Sequence, residues 1–241
     1  MKQPPWLLAP PDSLEVGRVV VLGAAEARHV TGALRLRAGD RVVVTDGAGR
    51  VTSGVLEATG RGEVRVALGE LHLEPRPPAG PALAMGVLAG SAMDLVVQKA
   101  VELGVDRFLP VCCARSQLNL RRAVDRRDHW DRVGRQALKQ CHRAWAMEVA
   151  CPVSLEGLVA GATPGAGVVG HPEGEPPDRL PLDRCRLLLV GPEGGLTDDE
   201  ERLLADSGWP RVRFGRHILR AETAAIAGVA LLGARLDAAR G

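Results

Sequence analysis

From Val16 to about Leu73 the chain runs as short β-branched stretches between glycines: GRVVVL, DRVVVTDG, RVTSGVLEA and GEVRVALGELHL. Alternating apolar and polar positions over such lengths predict half-buried strands, and the glycines and aspartates between them predict turns. Together the stretches predict a small antiparallel barrel. They are interrupted by AEARHVTGALRLRAGD, where Ala27, Val30, Ala33, Leu34 and Leu36 fall roughly at helical spacing before Gly39 and Asp40 turn the chain. One short helix is expected there, against the barrel.

The segment EPRPPAGP, residues 74–81, holds four prolines. Proline fixes φ and lacks the amide donor, so this segment can continue neither a helix nor a central strand. It is the expected linker between a first domain over 1–73 and a second over 82–241. Beyond it, ALAMGVL predicts a buried strand, SAMDLVVQKAVELGV a helix capped by Ser91 and stopped at Gly104, and DRFLPV the next strand. A strand, a helix and a strand in that order make a βαβ unit and hence a parallel sheet. A long helix is expected from roughly Asp125 to Arg143 and a short one near Leu155. Strands follow at GVVGH and CRLLLVG, then a helix over DDEERLLADS, a strand at RVRFG and a last helix from Glu222. The second domain therefore reads as α/β.

Composition narrows the function only slightly. The 241 residues are 46% hydrophobic, enough for a packed core, and the net charge of +2 neither demands nor excludes nucleic acid. No long uncharged apolar run occurs, and MKQPPWLLAPPDS places prolines and an aspartate where a signal peptide keeps its apolar stretch, so a cytoplasmic protein with no membrane partner is expected. The five cysteines form no CxxC pair, which points to reduced thiols and to no metal site. With no tyrosine and only two phenylalanines, few side chains can stack on RNA bases.

The densest chemical signal is CRLLLVGPEGGLTDDEERLLADSG: an apolar strand, a tight glycine-rich turn, then Thr197 and Glu200 at capping-box spacing. Gly191, Gly194 and Gly195 let backbone approach a ligand closely, although glycines there could equally serve only to turn the chain. GAGVVG at 165–170 matches a dinucleotide fingerprint, yet no strand precedes it and HPEGEPP follows where a helix should start, so the Rossmann reading is rejected. Val168 and Val169 read instead as strand, with Gly170 and His171 opening a loop beside GPEGG. In FGRHILRAETAAIA, Arg220, Glu222 and Thr223 cluster where an apolar helix begins, as capping by Thr223 with an Arg–Glu pair or as catalytic groups. Arg28, Arg35, Arg37 and Arg41 in the first domain, and Arg115, Arg121, Arg122, Arg126 and Arg127 in the second, are candidates for phosphate contact or for plain solvation.

RHVTGALRLRAGD, VVQKAVELGVDRFLPV, LLLVGPEGGLTDDE and HILRAETAAIA occur in this order. So arranged, they resemble the small-subunit ribosomal RNA uridine-N3 methyltransferases of the SPOUT class over nearly the whole chain. The resemblance implies an N-terminal PUA-like β-barrel for RNA; from their charge alone, Arg28, Arg35 and Arg37 there and Arg115, Arg121 and Arg122 in the second domain are the candidate RNA contacts. It also implies a C-terminal α/β domain whose parallel sheet carries a deep trefoil knot, and a homodimer acting on small-subunit ribosomal RNA or the assembled subunit. S-adenosylmethionine would be the methyl donor, with no metal. By the same carry-over the donor is bound by Gly170, His171 and Pro172, by Val190, Gly191, Pro192, Glu193, Gly194 and Gly195, and by Ile218, Leu219 and Thr223. Arg220 and Glu222 would be catalytic. Two departures stand out: Ser91 and Ala92 occupy positions where relatives often carry basic residues, and Lys139 one where they often carry glutamate. The alternatives are a SPOUT enzyme for a transfer-RNA base or a ribose hydroxyl, and an assembly factor without catalysis.

Overall fold

The computed structural model describes residues 3–60, 62–182 and 185–240. The chain divides into two compact units, one holding the residues up to Pro77 together with Arg135–Ala146, the other Pro78–Gly134 together with Met147 onward.

The first unit is built on a five-stranded sheet of β1 (Trp6–Leu8), β2 (Val19–Leu22), β3 (Arg41–Thr45), β4 (Arg50–Thr59) and β5 (Val64–Leu73), in the order β1-β3-β4-β5-β2. The expected stretches form β2 to β5, and all their pairings are antiparallel. β1 was not expected, and it pairs parallel to β3, because a long connection lets the chain re-enter from the same end. Two register shifts, one with its extra residue on β5 opposite Thr52/Gly54 and one with its extra residue on β4 between Leu56 and Ala58, bend the long β4–β5 ribbon around its core. That core is Leu7, Val20, Leu22, Val42, Val44, Leu56, Val64 and Val66, the inward half of each alternation.

The expected helix on the barrel is shorter than its apolar spacing suggested. α1 spans Ala24–Arg28, and the chain then widens into a π turn over His29–Ala33. Thr31 Oγ1 donates to the Ala27 carbonyl at 2.8 Å, a side-chain competitor that loosens helices, and Gly32 follows it. Arg28, Arg35 and Arg37 are exposed around this segment, and Asp40 fixes its exit by accepting the Arg37 amide at 2.7 Å.

Residues 135–146 were expected with the second domain. They pack instead with the first unit, through contacts that sequence spacing does not encode. Ala146 N–H donates to Gly47 at 2.8 Å and Gly49 N–H to Ala144 at 2.9 Å. Gly49 leaves room for the Trp145 indole, whose N–H donates to the Glu74 carbonyl at 3.2 Å. Lys139 is 4% exposed and pairs with Glu26, itself 9% exposed, at 2.6 Å, while the second Glu26 oxygen accepts the Leu8 amide at 3.4 Å. The lysine at this position is thus a buried structural cation.

The second unit is an all-parallel sheet of β6 (Ala82–Gly86), β7 (Arg107–Cys112), β8 (Glu148–Val149), β9 (Val153–Ser154), β10 (Gly167–Glu175), β11 (Leu187–Val190) and β12 (Arg211–Val212). The order is β12-β10-β11-β6-β7-β8, with β9 also on β7. Its helices are α2 (Gly90–Glu102), α3 (Leu120–Cys141), α4 (Leu155–Gly161), α5 (Asp198–Asp206) and α6 (Ala221–Ala238), the last turns of α3 belonging with the first unit. Two helix starts differ from expectation. Ala89, not Ser91, is the first cap of α2 and makes no side-chain bond; Ser91 lies inside the helix. α3 begins five residues early because Asn119 Oδ1 accepts the Arg122 amide at 3.0 Å, a capping bond not anticipated so far ahead of the apolar repeat. Gly104, at φ +80°, ends α2 as expected.

Strand order decides where a ligand can sit. The chain crosses to β10 on the outer side and then returns to insert β11 between β10 and β6. In open parallel sheets the crevice outside the carboxyl ends of the strands, where the order reverses, is left uncovered by connections. Among the described residues no helix is long and apolar enough to cross a membrane.

Candidate functional site

A cavity of about 820 Å³ opens at that reversal, bounded by three segments of the second unit. The first is the middle of β10. Its pairing with β12 shifts between Gly170 and Glu175, and the irregularity carries His171 and Pro172 off the ladder to line the cavity. A Cβ on Gly170 would stand 2.8 Å from the Phe214 ring and one on Gly228 2.6 Å from it, so two glycine backbones hold Phe214 against the cavity wall. His171 Nδ1 accepts the Glu173 amide at 3.1 Å, which leaves Nε2 to donate to Glu201 at 3.2 Å in the neutral tautomer. The other Glu201 oxygen takes Arg211 at 2.8 Å, so α5 and β12 both anchor the first segment.

The second segment is the GPEGG turn after β11. Val190, Gly191, Pro192, Glu193 and Gly195 line the cavity. The glycines serve separate purposes. Gly195 has φ +71°, a left-handed conformation that glycine adopts at little cost, and Gly194 lies under the Arg115 side chain, where a Cβ would come to 3.0 Å of the Arg115 Cβ. Below the turn Thr197 and Glu200 form the expected capping box. Glu200 is buried, and its second oxygen accepts the Ala114 amide at 2.7 Å. Glu193 accepts the Ala89 amide at 3.3 Å, so the turn is tied to the start of α2 as well.

The third segment runs from Arg213 to Glu222, with Ile218, Leu219, Arg220 and Glu222 lining the cavity and Ile218 83% exposed. Arg220 is the N-cap residue of α6 and makes no capping bond through its side chain; Thr223, exposed in the first turn, does not cap either. Among the described residues neither the Arg220 guanidinium nor the Glu222 carboxylate has an ion-pair or hydrogen-bond partner, so the purely structural explanation of this cluster fails. Both groups face a cavity with their chemistry unused.

Of the expected donor-binding residues, Gly194 and Thr223 are not on the cavity wall. Gly194 contributes through its carbonyl, which Arg115 holds. Nearby, burial and then the Glu200 carboxylate push the Cys113 thiol up to about 12, which excludes it as a thiolate nucleophile at neutral pH. Among the described residues no group of three or more His, Cys, Asp or Glu side chains is placed to hold a metal ion.

Comparison with known proteins places this arrangement. Residues 76–233 match the RNA methyltransferase domain family and residues 22–68 the RNA methyltransferase PUA domain family. The ribosomal RNA small subunit methyltransferase E of Mycobacterium bovis is 32% identical, over 93% of this chain and 90% of its own. The chain belongs to the ribosomal RNA small subunit methyltransferase E family. Two solved structures extend the likeness to the whole fold. A Legionella pneumophila protein described as a methyltransferase with bound cofactor SAM has 26% identity and a TM-score of 0.89, over 97% of this chain and 98% of that one. The Neisseria gonorrhoeae ribosomal RNA small subunit methyltransferase E bound to S-adenosyl methionine has 25% identity and a TM-score of 0.84, over 95% and 97%. The fold is thus an α/β RNA methyltransferase domain with a parallel sheet, joined to an N-terminal PUA domain.

Within this methyltransferase E framework, sequence reasoning missed several cavity residues: Phe214, Leu196, Glu201, Arg213 and His217. A glycine pair at 170 and 228 cannot signal a shared aromatic neighbour before the fold is known. Arg121 and Arg122 are exposed on the first turn of α3, whereas Arg127 is tied to the Val149 carbonyl at 3.1 Å. Arg115, a candidate RNA contact, donates through Nη1 to the GPEGG turn.

Proposed function

We propose that this chain transfers a methyl group from S-adenosylmethionine to N3 of a uridine in small-subunit ribosomal RNA, in the cytoplasm and as a homodimer with the SPOUT trefoil knot. The observation that carries the reading is the cavity itself, with glycine backbone on its floor and Arg220 and Glu222 unpartnered at its edge. The fit to S-adenosylmethionine is physical. About 820 Å³ lies within the range of cofactor sites, Val190, Leu196, Ile218 and Leu219 supply apolar wall, and the backbone polar groups of Gly191 and Glu193 on that wall can meet adenine and ribose polar groups. Bound there, the sulfonium would supply an activated methyl group and leave as a neutral thioether. The two relatives of known structure named above were solved with this molecule.

Uridine N3 carries a weakly acidic proton, and its removal leaves charge on the flanking carbonyl oxygens. The Arg220 guanidinium is always charged and can stabilise that charge, while Glu222 can accept the proton or orient Arg220. The remaining rate comes from holding the nitrogen in line with the methyl group. In the first unit, exposed Arg28, Arg35 and Arg37 are assigned to RNA phosphates, as are Arg121 and Arg122 in the second.

The test is methyl transfer from labelled S-adenosylmethionine to small subunits lacking the modification, with the product nucleoside identified by mass spectrometry. The reading requires 3-methyluridine at one site; a different methylated nucleoside overturns it. Arg220→Ala should lower turnover at least ~100-fold with cofactor affinity nearly unchanged, and near-normal turnover would remove Arg220 from the mechanism.

A further inference from the structure

The GPEGG turn is held from outside by the loop that follows β7. Arg115 Nη1 donates to the Gly194 carbonyl at 3.0 Å and to the Leu196 carbonyl at 2.9 Å. These carbonyls flank Gly195, the left-handed residue that reverses the chain. One guanidinium nitrogen therefore spans the bend. The Arg115 stem lies directly over Gly194, where any other side chain would press on it. The bond runs both ways: Glu200, from the helix after the turn, accepts the amide of Ala114, the neighbour of Arg115. The β7 loop has its own brace, the Cys113 amide bonded to Ser116 Oγ at 3.0 Å, so it is a fixed platform for the turn. Arg115 also lines the cavity.

We propose that Arg115 is a positioning residue for the methyl donor, fixing the 194–196 backbone and with it the GPEGG part of the cavity wall, and is not a phosphate contact. The proposal rests on the reading of the cavity as the S-adenosylmethionine site. Its physical basis is preorganisation: a glycine-rich turn without a tie must lose conformational entropy each time the ligand binds, and the double hydrogen bond from a cation removes that cost beforehand. An arginine serving RNA would act through its charge on phosphates, and its loss would not alter cofactor binding in the absence of RNA.

The experiment measures S-adenosylmethionine binding by calorimetry without RNA for the wild type, Arg115→Ala and Arg115→Lys, together with KM for cofactor and for RNA in methyl transfer. Wild-type binding is expected; no binding at all by the wild type overturns the function reading itself, before Arg115 is reached. Given wild-type binding, Arg115→Ala should raise the cofactor Kd and KM together by about ten-fold, with the RNA KM within about two-fold. Arg115→Lys should recover most of the loss, because an ammonium keeps enough donors for both carbonyls. Cofactor affinity of Arg115→Ala within about two-fold of wild type, or a raised RNA KM with cofactor binding intact, overturns the proposal.

Discussion

Gly86 closes β6 directly beneath the GPEGG turn, and replacing it with alanine perturbs the cavity without touching any polar group. A Cβ there would lie 2.6 Å from Pro192 Cδ and 2.7 Å from the Gly191 carbonyl carbon, and closer still to Pro192 N, against an ordinary contact of 3.4–4 Å. These are backbone and ring atoms that cannot rotate away, so the turn must shift by roughly 1 Å, the scale at which misplaced groups cost about 100-fold in rate. The shift is resisted by the Glu193 bond to Ala89 and the Arg115 bonds to Gly194 and Leu196, so strain accumulates at the cavity wall. Gly86→Ala should therefore destabilise the fold by about 1–3 kcal/mol and lower methyl transfer by about 100-fold, with weakened cofactor binding. Calorimetric cofactor titration, methyl transfer and thermal unfolding measure the three effects. Gly134→Ala is the control: its Cβ meets nothing closer than 3.7 Å inside α3, so the change should leave activity intact and stabilise the helix by up to about 1 kcal/mol. Wild-type affinity and turnover in Gly86→Ala would refute the claim that the turn's position is set by its contact with β6.

The buried pair in the first unit gives a stability test. Lys139→Met leaves the buried Glu26 carboxylate with the Leu8 amide as its one hydrogen-bond partner among the described residues and should cost about 3–5 kcal/mol in denaturant unfolding, while Glu26→Met combined with Lys139→Met recovers most of it; a single-variant loss below about 1 kcal/mol contradicts the burial argument. Burial, followed by the Lys139 ammonium, lowers the His29 pKa below its ordinary value of 6.5. The neutral ring is then the folded form, so its stabilising contribution is present above pH 6.5 and is lost as pH falls through the folded pKa. An NMR titration should place the His29 midpoint below 6.5 and move it upward in Lys139→Met; a midpoint at or above 6.5 in the wild type contradicts the assignment.

The sequence by itself determined the local elements and the chemistry on offer. Alternation fixed β2 to β5, whose inward residues form the first core. The apolar runs fixed β6, β7 and β11, and Thr197 with Glu200 fixed the start of α5, because each of these signals lies within a few residues of its effect. The motifs also pointed to the segments that become the cavity walls. Tertiary structure decided what depends on distant partners. Lys139 meets Glu26 across 113 positions, and Trp145 meets Glu74 across 71. Such long-range contacts place 135–146 with the first unit. Phe214 became a cavity residue through the glycines at 170 and 228, and Arg115 a clamp through carbonyls some 80 positions away. Backbone carbonyls are the same at every residue, so no sequence pattern can announce which of them an arginine will hold; only the return of β11 between β10 and β6 brings them within reach.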